Sequence, residues 1–220
     1  MKKISVIVTG ASGMVGEGVM HICLNHPQVE SVLVVGRRAC GTTHPKLKEI
    51  LHNDFYNLSP IAEQLKNYDA CFFCLGVSSV GKTEEEYKRI TYDLTMHVAE
   101  TVKNPQMTFC YVSGMGTDSS EQGKLMWARV KGKTENDLMK MPFKNVFAFR
   151  PGFIEPIEGM KHTLSAYKYL KFLFPLFKLL FSKSYVTLEN VGRAMINVTL
   201  NGYDKKVLDC VDITKAGQAS

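Results

Sequence analysis

The chain has 220 residues, 45% of them hydrophobic and 22% charged, a balance that excludes a disordered, collagen-like or small disulfide-held protein. Its 27 Lys and Arg against 21 Asp and Glu give +6, with residues 1–150 (18 against 15) and 151–220 (9 against 6) contributing +3 each. Such an even, mild excess lacks the dense basic patch of a nucleic-acid binder, and no uncharged apolar run is long enough to span a bilayer.

The predicted elements alternate along the chain. Ile4–Thr9 is a short β-branched run that stops at glycine, a buried parallel strand, and 13–25 has helical spacing. Val32–Val35 and, more weakly, Ile50–Asp54 are the next strands, and Asp69–Leu75 the fourth. A helix over 83–103 starts at Thr83 with Glu86 three residues on, a capping box. Met107–Val112 is a strand, 123–141 a helix and Val146–Phe149 a strand. Beyond Arg150-Pro151-Gly152 come a Lys- and Phe-rich helical segment from about Lys161, a helix near 188–200 and a last strand over 206–211. Strands alternating with helices require crossover connections, hence a parallel sheet covered on both faces.

Six cysteines lie in apolar stretches, where free thiols serve as small core residues. Cys71 and Cys74 form a C-x-x-C, but within a strand residues three apart point to opposite faces, which argues against a shared metal or redox centre. Free thiols, with no cleavable leader ahead of the first strand, point to a reducing cytoplasm.

Strand one runs into Thr9-Gly10-Ala11-Ser12-Gly13-Met14-Val15-Gly16, a G-x-x-G-x-x-G that opens the first helix. A pyrophosphate can approach such a backbone closely and bond the free amides at the helix start, where the macrodipole also favours negative charge. Gly10 allows the tight turn, Gly13 the approach and Gly16 the packing of helix on strand. Gly10, Ser12, Gly13, Met14, Val15 and Gly16 are therefore candidate cofactor contacts. At the end of strand two an acid would bond the adenosine ribose and repel a 2′-phosphate. This chain instead has Gly36-Arg37-Arg38, and two guanidiniums suit a 2′-phosphate. NADP(H) is expected ahead of NAD(H). Asp54 is placed to accept a bond from the adenine amino group or simply to cap its own turn, and Gly76 to let the cofactor lie against the backbone.

With TGASGMVG at 9–16, GRR at 36–38, YVSGMG at 111–116, WARVKGKTEN at 127–136 and FRPGF at 149–153, the chain resembles the short-chain dehydrogenases/reductases of the atypical or extended kind, the epimerase/dehydratase and NmrA-like group. The resemblance implies a catalytic serine at Ser113 and, in place of a Tyr-x-x-x-Lys, Trp127 followed by Lys131. Residues four apart share a helix face, and Lys131 would hold the nicotinamide ribose. An indole N–H does not exchange its proton as an acid near neutrality, so three readings stay open. Ser113 polarises the carbonyl alone, another phenol such as Tyr111 substitutes, or the protein binds NADP(H) without turnover as a redox sensor or scaffold.

Lysines at 161, 168, 171 and 178 fall on one side of the helical segment 161–181, which fits a solvated outer face and, less readily, contact with an anionic membrane surface. The expected fold is α/β: a Rossmann-type doubly wound parallel sheet with helices on both faces and a small C-terminal substrate lobe. The whole of 1–220 is one NAD(P)-binding domain, with 1–150 as dinucleotide core and 151–220 as substrate-lobe elements and last strand. The expected activity is oxidoreduction of a small or hydrophobic carbonyl or alcohol. Neither the substrate nor an oligomeric state is legible.

Overall fold

The computed structural model describes residues 2–162 and 181–219. Its main sheet is built from β1 (Ile4–Thr9), β2 (Val29–Gly36), β3 (Leu47–Leu51), β4 (Ala70–Phe73), β5 (Thr108–Val112), β6 (Asn145–Phe149) and a short β9 (Val207–Leu208). They lie in the order β3-β2-β1-β4-β5-β6-β9, every pair parallel. The chain thus builds outward from β1 to one edge and then restarts at β4 on its other side. The carboxyl ends of β1 and β4 flank the switch point, where open α/β sheets bind ligands.

Each central strand feeds two cores because successive side chains face opposite ways. Val6, Val8, Val32, Val34, Phe72, Cys110 and Phe147 pack under helices α1 (Met14–Asn25), α5 (Leu188–Asn201) and α6 (Cys210–Gln218). On the other face Ile7, Leu33, Val35, Cys71, Phe73, Phe109 and Tyr111 pack with α3 (Leu94–Val102), the end of α4 (Met126–Leu138) and a 3₁₀ turn over Ser59–Leu65. Burial on both faces is why these strands read as continuous apolar runs.

Several boundaries differ from the sequence reading. The third strand is Leu47–Leu51, since Val32–Gly36 of β2 pair with those residues and 52–54 turn away. The capping box is present: Thr83 Oγ1 accepts from Glu86 N at 3.2 Å and Glu86 Oε2 from Thr83 N at 2.8 Å. The helix it opens is not uniform, however. α2 (Glu84–Lys88) passes into α3 through a π-helical turn at Arg89–Asp93. α4 starts only at Met126, because Asp118 holds residues 118–123 in a turn, accepting from Ser120 N at 3.0 Å and Gly123 N at 2.6 Å. The last strand stops at Leu208: Asp209 Oδ1 accepts from Val211 N at 2.9 Å and Asp212 N at 3.0 Å, starting α6 where a strand was expected to continue. A separate parallel pair, β7 (Phe153–Glu155) with β8 (Tyr185–Thr187), was not anticipated. Most of the lysine- and phenylalanine-rich segment lies outside the described residues.

Candidate cofactor and active site

β1 ends in the glycine loop. Gly10 turns with φ +76°, and a methyl group there would sit 2.7 Å from the Cys74 carbonyl oxygen at the end of β4. At Gly16 it would lie 2.2 Å from the Gly10 carbonyl oxygen. Both glycines are demanded by the protein's own backbone. Gly13 and Gly76 are not: a methyl at Gly13 meets nothing closer than 3.5 Å and one at Gly76 nothing within 4 Å. Gly13 is the N-cap of α1 and no side chain caps that end, so the helix presents unpartnered amides to a cradle that a Cβ would fill. The cradle has the size, donors and dipole for a pyrophosphate.

The cradle is the middle of a cleft in two adjoining parts. The outer part, about 430 Å³, is lined by Gly10–Gly13, Gly36, Arg37, Arg38, Asp54, Phe55, Tyr56, Cys74–Val77, Ile90 and Leu94. The inner part, about 310 Å³, is lined by Gly13–Val15, Cys74–Val77, Val112–Gly114, Lys131, Pro151 and Ile154. Of the expected cofactor contacts and the pair Ser113 and Lys131, Gly16 alone lies outside both, packed close against the Gly10–Ala11 backbone. Arg37 and Arg38 are exposed and form no ion pair among the described residues. Asp54 Oδ1 accepts from Tyr56 N at 2.9 Å, the capping role, while the residue also faces the cleft.

At the inner end Ser113 is 4% exposed, and its hydroxyl donates to the Phe149 carbonyl at 3.1 Å. Lys131 Nζ reaches across from α4 and donates to the Ser113 carbonyl oxygen. Burial pushes the Lys131 ammonium down to about 8, only partly offset by the Glu135 carboxylate one turn further on. Glu135 is itself buried and accepts from the Arg150 guanidinium through both oxygens, Nε at 3.0 Å. The i, i+4 spacing of Lys131 and Glu135 was visible in the sequence; the reach to Arg150 at the end of β6 was not.

Trp127 is not among the residues lining either part of the cleft. Its ring lies over the Gly116 turn, where a Cβ would be 3.2 Å from its edge. Tyr111 is a core residue, its phenol pushed up by burial and by nearby Tyr87, so it is not the substitute phenol. Cys71 and Cys74 face opposite sides of the sheet, one in each core, and burial pushes the Cys74 thiol up to about 12. No group of His, Cys, Asp or Glu among the described residues has the arrangement of a metal site. Nor is any described helix long and apolar enough to cross a membrane.

A buried carboxylate that sequence reasoning missed sits beside the cradle. Glu17, on the first turn of α1, is 3% exposed. Its oxygens accept from the backbone N–H groups of Lys161 and His162, both at 2.8 Å, and from His162 Nδ1 at 3.0 Å. Lys161 Nζ continues to the Gly41 carbonyl at 2.7 Å. Residues 161–162 are thereby tied across the dinucleotide helix to the loop after β2.

Residues 5–96 match the NAD-binding domain of semialdehyde dehydrogenase. The chain is 26% identical over 168 residues to protein FMP52-1, mitochondrial, of Scheffersomyces stipitis, covering 73% of this chain and 74% of that one. It is 26% identical over 157 residues to protein HTATIP2 of Rattus norvegicus, covering 70% and 64%. Among solved structures, UDP-N-acetylglucosamine 4-epimerase from Methanobrevibacter ruminantium superposes with a TM-score of 0.66 at 15% identity, covering 98% of this chain and 81% of that one. The Bordetella bronchiseptica enzyme WbmF, in complex with NAD+, superposes with 0.64 at 16%, covering 97% and 77%.

The cytoplasmic expectation is corrected by the fungal relatives, whose names place them in mitochondria. Unpaired thiols report a reducing environment, which is not unique to the cytoplasm. The sheet order, the glycine cradle and the matched domain together show a Rossmann-type α/β fold whose residues 5–96 are similar to an NAD-binding domain.

Proposed function

We propose that the protein is an NADP(H)-dependent oxidoreductase acting on a small or hydrophobic carbonyl or alcohol. The observation that carries this reading is the pair Gly13 and Gly76, whose side-chain space the protein leaves unfilled in a cleft running from two arginines to Ser113 and Lys131. In this reading the amides of residues 10–16 hold the pyrophosphate, with Ser12, Met14 and Val15 at its edge. Arg37 and Arg38 bind the 2′-phosphate, Asp54 the adenine amino group, and Gly76 gives close passage.

Bound there, the nicotinamide supplies or accepts a hydride. Lys131 holds the ribose and Ser113 orients the substrate oxygen, its hydroxyl turning from the Phe149 carbonyl to do so. Residues beyond 151 form the substrate lobe. Its apolar character is supported by Phe153 (48% exposed) and Phe181 (47%), whose rings are 6.2 Å apart, with Met115 (48%) of the loop after β5 beside Gly152.

The test is a titration with NADPH and NADH, read by fluorescence and thermal shift, followed by a carbonyl and alcohol panel read at the nicotinamide absorbance. Tighter binding of NADPH and turnover of at least one apolar substrate are expected; much tighter binding of NADH would refute the role given to the arginines. Trp127, packed on Gly116 away from the cleft, favours a second reading in which the protein binds NADP(H) as a redox sensor or scaffold without turnover. Binding of both redox forms, with turnover absent in the parent and created by Trp127→Tyr, would support that reading.

A further inference from the structure

We propose that Lys131 is itself the acid that protonates the substrate oxygen during reduction, and the base that removes the proton during oxidation. The proposal rests on the oxidoreductase reading above and supplies the proton that Trp127 cannot. Among the described residues at the inner end of the cleft, the other candidates fail one by one. Tyr111 is enclosed in the core and its phenol is pushed up by burial. Tyr185, in β8, is buried and donates to Glu155, and burial together with that carboxylate raises it as well. Tyr56 lines only the outer part, its hydroxyl donating to the Arg89 carbonyl. Cys74 remains a thiol, and the Ser113 hydroxyl is too weak an acid to act without a relay.

Lys131 has both the position and the chemistry. Its Nζ lies against the Ser113–Gly114 backbone, bonded to the Ser113 carbonyl, 3.9 Å from the point that a Cβ of Gly114 would occupy. An ammonium has three protons, so one bond to Ser113 leaves two for the ribose and the substrate. The step balances. The carbonyl carbon takes a hydride from the reduced nicotinamide, the π pair moves to oxygen, and Nζ–H delivers the proton there. The neutral amine then regains a proton from water.

Few charges among the described residues surround the amine. On its own helix there is Glu135, engaged through both oxygens by Arg150 from the end of β6. Tyr111 on β5 and Cys74 at the end of β4 stay neutral, and the glycine loop at 10–16 has no ionisable side chain. An amine so enclosed loses its proton close to neutrality, where an acid–base catalyst is most effective.

Two measurements test this on the full chain. In the cofactor-free protein enriched with isotopically labelled lysine, NMR should find one side-chain amine titrating near 8, and its signal should vanish in Lys131→Arg and in Lys131→Met. If every lysine titrates above about 10, like an ordinary exposed amine, the proposal is overturned whatever the activity.

Kinetics then use NADPH with aldehydes, ketones and quinones, including cinnamaldehyde, decanal and menadione. Wild-type kcat/KM for reduction should fall about tenfold per pH unit above the same pH. Lys131→Arg keeps the charge but holds its proton, so it should bind NADPH within about threefold of wild type and lose about a hundredfold in kcat. Lys131→Met, compared at matched Tm, covers the case in which arginine does not fit. Unchanged kcat in both variants overturns the proposal. So does a silent wild type beside an active Trp127→Tyr, which leaves cofactor and substrate binding intact. NADPH binding with no turnover in either protein refutes the oxidoreductase reading, and the proposal falls with it.

Discussion

Four glycines separate what the fold requires from what a ligand requires. At Gly10 and Gly16 an added methyl meets backbone atoms at 2.7 and 2.2 Å, contacts that no rotamer change relieves. Gly10→Ala adds strain from its positive φ. Each of these two variants should lose about 2 kcal/mol or more by urea denaturation, as backbone clashes do. Gly13→Ala and Gly76→Ala add a methyl to empty space, so their stability should stay within about 1 kcal/mol of the parent, Gly13 giving up only its helix-cap preference. Both should nevertheless weaken NADPH at least tenfold, about 1.4 kcal/mol. If Gly13→Ala binds as tightly as the parent, the cradle does not hold a pyrophosphate.

At the scale of elements, Glu17 couples the dinucleotide helix to residues 144 and 145 positions away in sequence. Burial opposes its ionisation, but the two backbone N–H donors and His162 outweigh that and hold its carboxyl below the usual carboxylate range. A carboxylate lowered on folding stabilises the native state above its unfolded pKa, and that stability is lost as pH falls through the folded value. Glu17→Gln turns N–H groups towards donors at a buried site and should cost about 2 kcal/mol, typical of a hydrogen-bonded charge. It should also speed proteolysis between 157 and 162 and flatten the acid limb of the stability profile. Equal urea midpoints at neutral pH would show the tie to be energetically idle.

This contact was illegible in the sequence because nothing local marks a partner so far along the chain. The alternation of strands and helices, the Thr83 capping box and the glycine cradle were legible because each is written within about ten consecutive residues. β7 and β8 escaped because three residues each are too few to show a period. The π turn at 89–93 is tied to tertiary structure: the Tyr56 hydroxyl donates to the Arg89 carbonyl at 2.9 Å, and Ile90 and Leu94 face the cleft. Asp209 was a readable stop signal, an N-cap type at the end of an apolar pair, masked in the sequence by the apolar Cys210-Val211 that follows.

Across the whole molecule, the charge of +6 is mild and salt screens it beyond about 10 Å, so long-range attraction does little to choose between the two nicotinamide coenzymes. Local placement does, if Arg37 and Arg38 meet the 2′-phosphate at the open end of the cleft. Because both side chains are exposed, solvent and salt discount each contact to about 1 kcal/mol. Together they should favour NADPH by roughly tenfold to thirtyfold, a preference that shrinks as added salt shortens the screening length to a few ångströms. NADH shares every other contact, so its affinity should change much less with salt. The double variant Arg37→Ser/Arg38→Ser should lose most of the NADPH preference, keep NADH within about twofold, and leave the urea midpoint unmoved, because among the described residues the two arginines pair with nothing the fold depends on. Fluorescence titrations at low and high potassium chloride read all of these quantities. A double variant that still prefers NADPH to the parental degree would place the 2′-phosphate elsewhere, and an NADH preference in the parent would remove the phosphate role from both residues.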